Sequence, residues 1–218
     1  MTALAVQALD IAAAVVLVTA WISLIHRRIE ALVDTYAIQS AALGITAGLV
    51  ANQYRAPDIY VLAGLTIVVN AVVLPWLLRR VVRALGVSRM VNMYASVRES
   101  ALAGLGILLV SVWVVGPITP FAEVPSAGLL PISVAVLLIG FFLLISRRKA
   151  ITQVVGLLVM NNGIFLAGIA LTYGLGLFVE LGLAANLLVL AIVARIFLTR
   201  MKESFDHVDA DALRALEG

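Results

Sequence analysis

The chain has 218 residues, of which 63% are hydrophobic and only 12% are charged, against about 25% charged residues in ordinary soluble domains. The formal net charge of +3 does not indicate nucleic-acid binding, because the cations lie in short gaps between apolar segments, where lipid headgroups and membrane topology account for them. Cysteine is absent, which excludes disulfides and thiolate metal sites.

Seven apolar stretches occupy most of the chain, and each is long enough to cross a hydrocarbon core of roughly 30 Å as a helix. They predict an all-α, polytopic transmembrane bundle that forms a single integral membrane domain over 1–218, with no room for a soluble catalytic domain. The first stretch is not a cleavable signal peptide, because it lacks a basic leading region and contains Asp10. The predicted spans are 3–25, 31–53, 57–78, 100–118, 126–146, 150–173 and 176–198.

Positive charge is concentrated in alternate gaps between the spans. The gap after span two holds Arg55 alone, and the gaps after spans four and six hold no cation. The positive-inside rule therefore predicts an outside N-terminus and a cytoplasmic C-terminus in the cell membrane of a bacterium or archaeon. The cations of the other gaps are Arg27 and Arg28, then Arg79, Arg80, Arg83 and Arg89, then Arg147, Arg148 and Lys149, and finally Arg200 and Lys202.

Two segments are expected on the cytoplasmic side. Valines and Leu85 interleave with arginines in 79–99, which predicts an amphipathic helix in the plane of the interface or an extension of span three. The tail 199–218 is polar and partly acidic, and Asp209 is placed to cap a short last helix. The alternative for both segments is a plain solvated connector, but we favour packing on a neighbouring subunit, because the rest of the chain has the character of a subunit.

Four asparagines lie near the middle of predicted spans. An amide in hydrocarbon most often joins helices, contributing about 0.6 to 2 kcal/mol per hydrogen bond, and we favour that role over ion or water passage. An asparagine also cannot load and release a proton near neutral pH. These residues are Asn70, Asn161, Asn162 and Asn186.

The carboxylates lie closer to the ends of the spans. Asp10, Asp34 and Glu180 are candidates for lining a hydrated path, since their short side chains cannot reach far toward the headgroups. Gln39 lies one to two turns deeper than Asp34. Glu30 and Arg195 are expected to extend to the headgroups instead.

Packing signals are those of ordinary membrane helices. Gly44 with Gly48, and Gly104 with Gly106, predict close helix contacts. Pro75 is expected to break the helical hydrogen-bond ladder of span three near Asn70.

No enzyme signature is present in the sequence. It has no phosphate-cradling glycine loop, no HExxH and no cluster with metal-ligand spacing, and His26 and His207 lie in polar segments without evident ligand partners. We therefore expect no catalytic residue, metal site or cofactor in this chain.

Three runs follow one another in the second half: ISRRKAITQVVGLLVMNNG, VELGLAANLLVLAIVARIFLTRM and the ending DALRALEG. Together with YAIQS at Tyr36–Ser40 and VVLP at Val72–Pro75, they resemble hydrogenase-4 component E, the HyfE-like membrane subunit of membrane-bound hydrogenases and formate hydrogenlyases. The resemblance is most specific over 128–218. Its three-helix portion, 128–198, is similar to subunit K of respiratory complex I and to the C subunit of Mrp-type cation antiporters.

The resemblance implies a non-catalytic subunit in the membrane arm of an electron-transfer complex. Its partners would be antiporter-like membrane subunits that move protons or sodium ions, and peripheral nickel–iron and iron–sulfur subunits. The chain would bind no cofactor of its own and would take a secondary part in an ion path.

The chain departs from the family pattern at its expected charges. Asn161 stands where family members carry Glu, Asn186 where they carry Asp, and Asn70 where they carry Lys, while Leu158 matches the functional Glu of subunit K. Joint replacement of a Lys and two carboxylates suggests that a balanced buried set was removed, because one unpaired buried charge would cost several kcal/mol. Two other classes stay open: a pure scaffold for a different soluble enzyme, and a small stand-alone ion transporter.

Overall fold

The computed structural model of the protein describes residues 3–55, 57–84, 91, 96–117 and 127–172. Within these ranges the chain is helical and contains no β-strand, which confirms the predicted all-α class. The helices are α1 (Ala3–Ile25), α2 (Ile29–Tyr54), α3 (Pro57–Leu65), a π-helical segment (Thr66–Val73), α4 (Leu74–Ala84), α5 (Val97–Val115), α6 (Leu130–Ser146), which follows a 3₁₀ turn (Ala127–Leu129), and α7 (Ala150–Thr172).

Several of these helices are long and apolar enough to cross a membrane, which supports the membrane class of the protein. Predicted span seven, 176–198, and the tail 199–218 lie outside the described residues, so the seven-span topology and the orientation of the termini stay predictions. Among the described residues, four stretches meet the length and hydropathy of a span, namely Gln7–Ile25, Ile59–Arg83, Val97–Val115 and Ala150–Leu171, and the apolar helix Leu130–Ser146 is shorter.

Helix α2 is long enough to span a membrane but more polar than these four. It packs against α1, α3, the π-helical segment, α4 and α7. Its polar side chains Gln39, Ser40 and Thr46 are fully buried. One face of helix α2 therefore lies inside the bundle, while Ile38 and Ile45 on another face are exposed.

In predicted span three, the backbone hydrogen bonds depart from α-helical geometry near Asn70 and Pro75, as the sequence predicted. Pro75 has no N–H to donate, and the π-helical segment ends just before it, with the N–H of Leu74 bonded to the carbonyl of Val69. Asn70 lies in this segment and is buried. Helix α4 continues to Ala84, so the first part of 79–99 extends span three, as one of the two predictions had it.

Helices α6 and α7 form the closest pair in the described bundle. A methyl group added at Gly140 of α6 would overlap the backbone of Met160, and one added at Gly163 of α7 would overlap the backbone of Leu137. The two backbones are therefore in direct contact, as small residues permit between membrane helices. The sequence analysis did not single out these glycines.

The predicted glycine faces are each half correct. Gly44 packs against Ile67 and Gly104 against Trp21 and Leu24, whereas a methyl group added at Gly48 or Gly106 would have no atom of the described residues within 4 Å. Helix α5 buries Ser100, Gly104, Ser111 and Val115 against the bundle and presents apolar side chains on its other faces, as expected for a surface that meets lipid. Its most exposed members are Leu102, Leu109 and Trp113.

Candidate functional site

A cluster of neutral polar side chains joins three helices in the interior. The amide nitrogen of Asn162 in α7 donates to Oε1 of Gln39 (3.3 Å) and to Oγ of Ser40 (3.0 Å), both in α2. Gln39 in turn donates its amide nitrogen to the carbonyl oxygen of Val16 in α1, 3.2 Å away. These bonds connect α1, α2 and α7 at one level of the bundle, and we call Gln39, Ser40 and Asn162 the amide cluster.

The local sequence explains how the cluster forms. Residues 36, 39, 40 and 43 share one face of α2, because three or four residues complete about one helical turn. Tyr36, Gln39, Ser40 and Leu43 are all fully buried on that face. The YAIQS run therefore places two hydrogen-bonding side chains next to each other against α1 and α7.

The chemistry of the amide cluster is that of helix association. Gln39 and Asn162 are fully buried, and neither has a group that gains or loses a proton near neutral pH. Oδ1 of Asn162 accepts no hydrogen bond within the described part of the chain. The cluster holds helices together and can orient a polar molecule, but it cannot store a proton.

The structure does not place Asp34 in this cluster. Asp34 lies on another face of α2, where its carboxylate accepts two hydrogen bonds from the guanidinium group of Arg79 in α4, with Nε 3.1 Å from Oδ1. Both side chains are about half exposed, at 54% and 41%. Asp34, which was predicted to line a hydrated path, therefore meets Arg79, whereas Gln39, one to two turns deeper in α2, meets Asn162.

The remaining predicted residues are dispersed. Asp10 is exposed on the outer face of α1. Asn161 is buried in α7, next to Asn162 in sequence, and Asn70 is buried in the π-helical segment. Glu180 and Asn186 lie outside the described residues, so the predicted contribution of predicted span seven to this site stays a prediction.

Arg147 is a buried polar residue that the sequence analysis assigned to a cytoplasmic gap. Its side chain is only 1% exposed, and its Nη2 donates to the carbonyl oxygens of Ser23 (3.0 Å) and Leu24 (2.8 Å) at the end of α1. Its Nε and Nη1 make no hydrogen bond within the ranges described above. Burial lowers the pKa of Arg147 to about 10, so the guanidinium group stays charged at neutral pH.

The position of Arg147 has a simple electrostatic reason. The last carbonyl groups of a helix have no partner within the helix, and together they carry partial negative charge. A guanidinium group inserted below the end of α1 satisfies two of them. The signal available in the sequence was only that Arg147 comes directly after an apolar helix, which does not distinguish a buried arginine from one that reaches the headgroups.

His26 lies close to this arginine. Its Nε2 is 2.8 Å from Oγ1 of Thr35. The pKa of His26 is lowered from the usual value of 6.5, mainly by burial and next by the positive charge of Arg147. The negative charge of Asp34 opposes this shift. In the described ranges, no group of three or more His, Cys, Asp or Glu residues could hold a metal ion.

The described gaps that carry positive charge meet at one end of the bundle. The N–H of Val91 donates to the carbonyl of Arg27 (2.7 Å), which links the α4–α5 connection to the α1–α2 connection. Arg147 links the α6–α7 connection to the end of α1. We call this the cationic end, and its location on the cytoplasmic side stays a prediction from the positive-inside rule.

Comparison with known proteins shows where the chain belongs. It is 30% identical over 202 residues to the uncharacterized protein Rv0085 of Mycobacterium tuberculosis (strain ATCC 25618 / H37Rv), a match that covers 92% of each chain. The chain belongs to the family of this mycobacterial protein. No protein-family profile and no solved structure matches it.

Proposed function

We propose that the protein is a non-catalytic membrane-arm subunit of a HyfE-like, complex-I-related oxidoreductase of the hydrogenase or formate hydrogenlyase type. It links antiporter-like membrane subunits to the peripheral electron-transfer module. The active site and all cofactors belong to the partner subunits, and this chain takes at most a secondary part in a proton or sodium path.

The sequence support is the ordered set of runs that resembles hydrogenase-4 component E, from YAIQS in α2 to the C-terminal DALRALEG. The first two helices of its subunit-K-like portion are α6 and α7, which the glycine contacts at Gly140 and Gly163 hold in a close hairpin. Such a hairpin gives a rigid surface against which large membrane subunits can pack.

The observation that carries the non-catalytic role is the amide cluster. The hydrogen bonds that Asn162 and Gln39 donate join α1, α2 and α7. Buried groups used in this way stabilise a scaffold, whereas proton relays in membranes use chains of Asp, Glu or His. The neighbouring Asn161 stands where the resemblance expects a Glu, which favours a subunit that retains the scaffold of its relatives without their titrating relay.

Purification of partners tests the proposal directly. The full chain with a C-terminal tag would be isolated from native membranes in mild detergent, and the co-purifying subunits would be identified by mass spectrometry. We expect large antiporter-like subunits together with an iron–sulfur or nickel–iron module. A stable protein without any stoichiometric partner would refute the proposal and leave the small stand-alone transporter as the working hypothesis.

The second candidate function, a pure scaffold or anchor for a different soluble enzyme, follows from the same neutral cluster. Recovery of antiporter-like subunits with another soluble enzyme would support the scaffold and exclude a hydrogenase.

Two variants separate a scaffold from a subunit on which ion movement depends. We expect Glu180→Gln and Asp34→Asn to reduce ion-coupled activity more than complex assembly, and unchanged ion movement in both would favour the scaffold.

A further inference from the structure

A cleft opens at the cationic end, between the first turns of α2 and the last turns of α4. Its volume is about 370 Å³, which is within the range of small-ligand sites. Its lining combines two valines, which are buried in the bundle, with two carboxylates of α2 and two arginines of α4. The lining residues are Glu30, Val33, Asp34, Arg79, Val82 and Arg83.

Positive charge is available on the α4 side of this cleft. The charge of Asp34 is balanced by Arg79, whose guanidinium group it holds in place. Arg83 lies one turn further along α4, is exposed, and forms no ion pair with any described residue. Arginines four residues apart on one helix lie about 5–6 Å apart at Cβ, so both guanidinium groups can reach one ligand in the cleft.

A tryptophan indicates the depth of the cleft in the membrane. The guanidinium group of Arg80 lies over the ring of Trp76, 5.3 Å from its centroid, and Trp76 is 55% exposed. Tryptophan is enriched where the hydrocarbon core meets the headgroups, and arginine side chains extend from that level toward water. The cleft, one turn beyond Trp76 along α4, is therefore at headgroup level.

We propose that this cleft binds the phosphate of an anionic phospholipid headgroup. Arg83 and Arg79 donate to the phosphate oxygens, because the planar guanidinium fork matches phosphate geometry. Of the two valines only Val82 keeps a small exposed fraction, and it contacts the glycerol and the upper acyl chains, which a free phosphate ion would lack. The cationic end concentrates anionic lipid near the cleft. Its described cations are Arg27, Arg28, Arg79, Arg80, Arg83, Arg98, Arg147, Arg148 and Lys149, and its carboxylates are Glu30, Asp34 and Glu99.

The test is a binding titration on the full-length protein in a neutral detergent. Short-chain phosphatidylglycerol, phosphatidylcholine of the same chain length and inorganic phosphate would be compared by native mass spectrometry. We expect phosphatidylglycerol to bind about tenfold more tightly than phosphatidylcholine, and Arg83→Gln to weaken phosphatidylglycerol binding about tenfold, the usual effect of removing a charge-assisted contact.

Arg98→Gln is the matched control, since Arg98 is exposed in the first turn of α5 at the same end but does not line the cleft. It should retain the wild-type affinity to within about twofold. Equal losses in both variants would show only non-specific charge attraction, and competition by inorganic phosphate at equal concentration would show a site for a soluble phosphate. Either result, or unchanged binding in Arg83→Gln, overturns the proposal.

If Arg83→Gln does not fold, Arg83→Lys is used to test whether Arg83 binds the headgroup. This variant retains the positive charge but loses the guanidinium fork, so we expect an affinity between those of the wild type and the glutamine variant. Wild-type protein that does not distinguish phosphatidylglycerol from phosphatidylcholine would overturn the proposal without any variant.

Discussion

Asn162 of α7 donates a hydrogen bond to Gln39 of α2, although 123 residues separate them in the chain. Gln39 in turn donates a hydrogen bond to the carbonyl oxygen of Val16 in α1. The Asn162 amide is therefore linked to α2 and, through Gln39, to α1 by hydrogen bonds in the interior.

Replacing this amide should loosen the bundle. We expect Asn162→Leu to lower the free energy of unfolding by about 1–2 kcal/mol, because Oε1 of Gln39 is left buried without its donor. Unfolding in mixed detergent micelles would measure the change. Gln53→Leu, at an exposed position near the end of α2, is the control and should have little effect. Equal stability of wild type and Asn162→Leu would contradict a role in helix association.

Asn161 was assigned the same role from the sequence, and its buried position suits it. We expect Asn161→Leu to reduce assembly of the complex, measured by co-purification of partner subunits. Normal assembly combined with lost ion movement would instead assign Asn161 to the ion path. Restoration of Glu at this position should destabilise the protein, because Asn70 offers no matching positive charge.

Two glycine-to-alanine substitutions, one in the α6–α7 hairpin and one in α5, should differ in their effect on stability. Gly140→Ala should destabilise the protein by about 1–3 kcal/mol, because the new methyl group meets the backbone of Met160 and forces the helices apart. Gly106→Ala has open space around it and should be neutral or stabilise α5 by up to about 1 kcal/mol through helix propensity. Unfolding of both variants in the same micelles would measure the difference, and equal effects would refute backbone contact between α6 and α7.

His26 should make the stability depend on pH. Its pKa is lowered in the folded protein, so the unfolded chain binds the proton more readily, and stability must fall as the pH drops below about 6.5. Above that value both states are neutral at this residue and the contribution is constant. Unfolding measured between pH 5 and 8 should show this slope in the wild type and a smaller slope in His26→Gln. A slope that His26→Gln leaves intact would assign it to other groups.

Two substitutions of Arg147 should differ in how far they lower the stability of the protein. Arg147→Met loses the hydrogen bonds to the end of α1 but also removes a buried charge, whereas Arg147→Lys retains a charge that cannot span both carbonyls. We expect the lysine variant to be less stable than the methionine variant by about 1 kcal/mol or more. Arg148→Lys, at the adjacent exposed position, should leave stability unchanged in the same unfolding assay. A lysine variant as stable as the wild type would show that the guanidinium fork is not required.

The sequence was a good guide to the helices and a partial guide to the site. The start and end of α1 coincide with the first predicted span, and α2 and α7 agree with theirs to within two residues. It also indicated the irregular region between Asn70 and Pro75. It could not assign helix faces, so it placed Asp34 with Asp10 on one hydrated path, although Asp34 pairs with Arg79 and Asp10 is exposed on α1.

By itself, the sequence determined what depends on about twenty neighbouring residues at a time: the all-α class, apolar helices suited to a membrane, and alternate gaps rich in positive charge. Hydropathy and charge are local properties, so they can be read along the chain. Only the tertiary structure decided that Arg147 lies buried beneath α1, that α6 and α7 touch at their glycines, and that Gln39 meets Asn162. These depend on contacts between residues far apart in the chain, because the rotation and spacing of packed helices set which side chains share an interior.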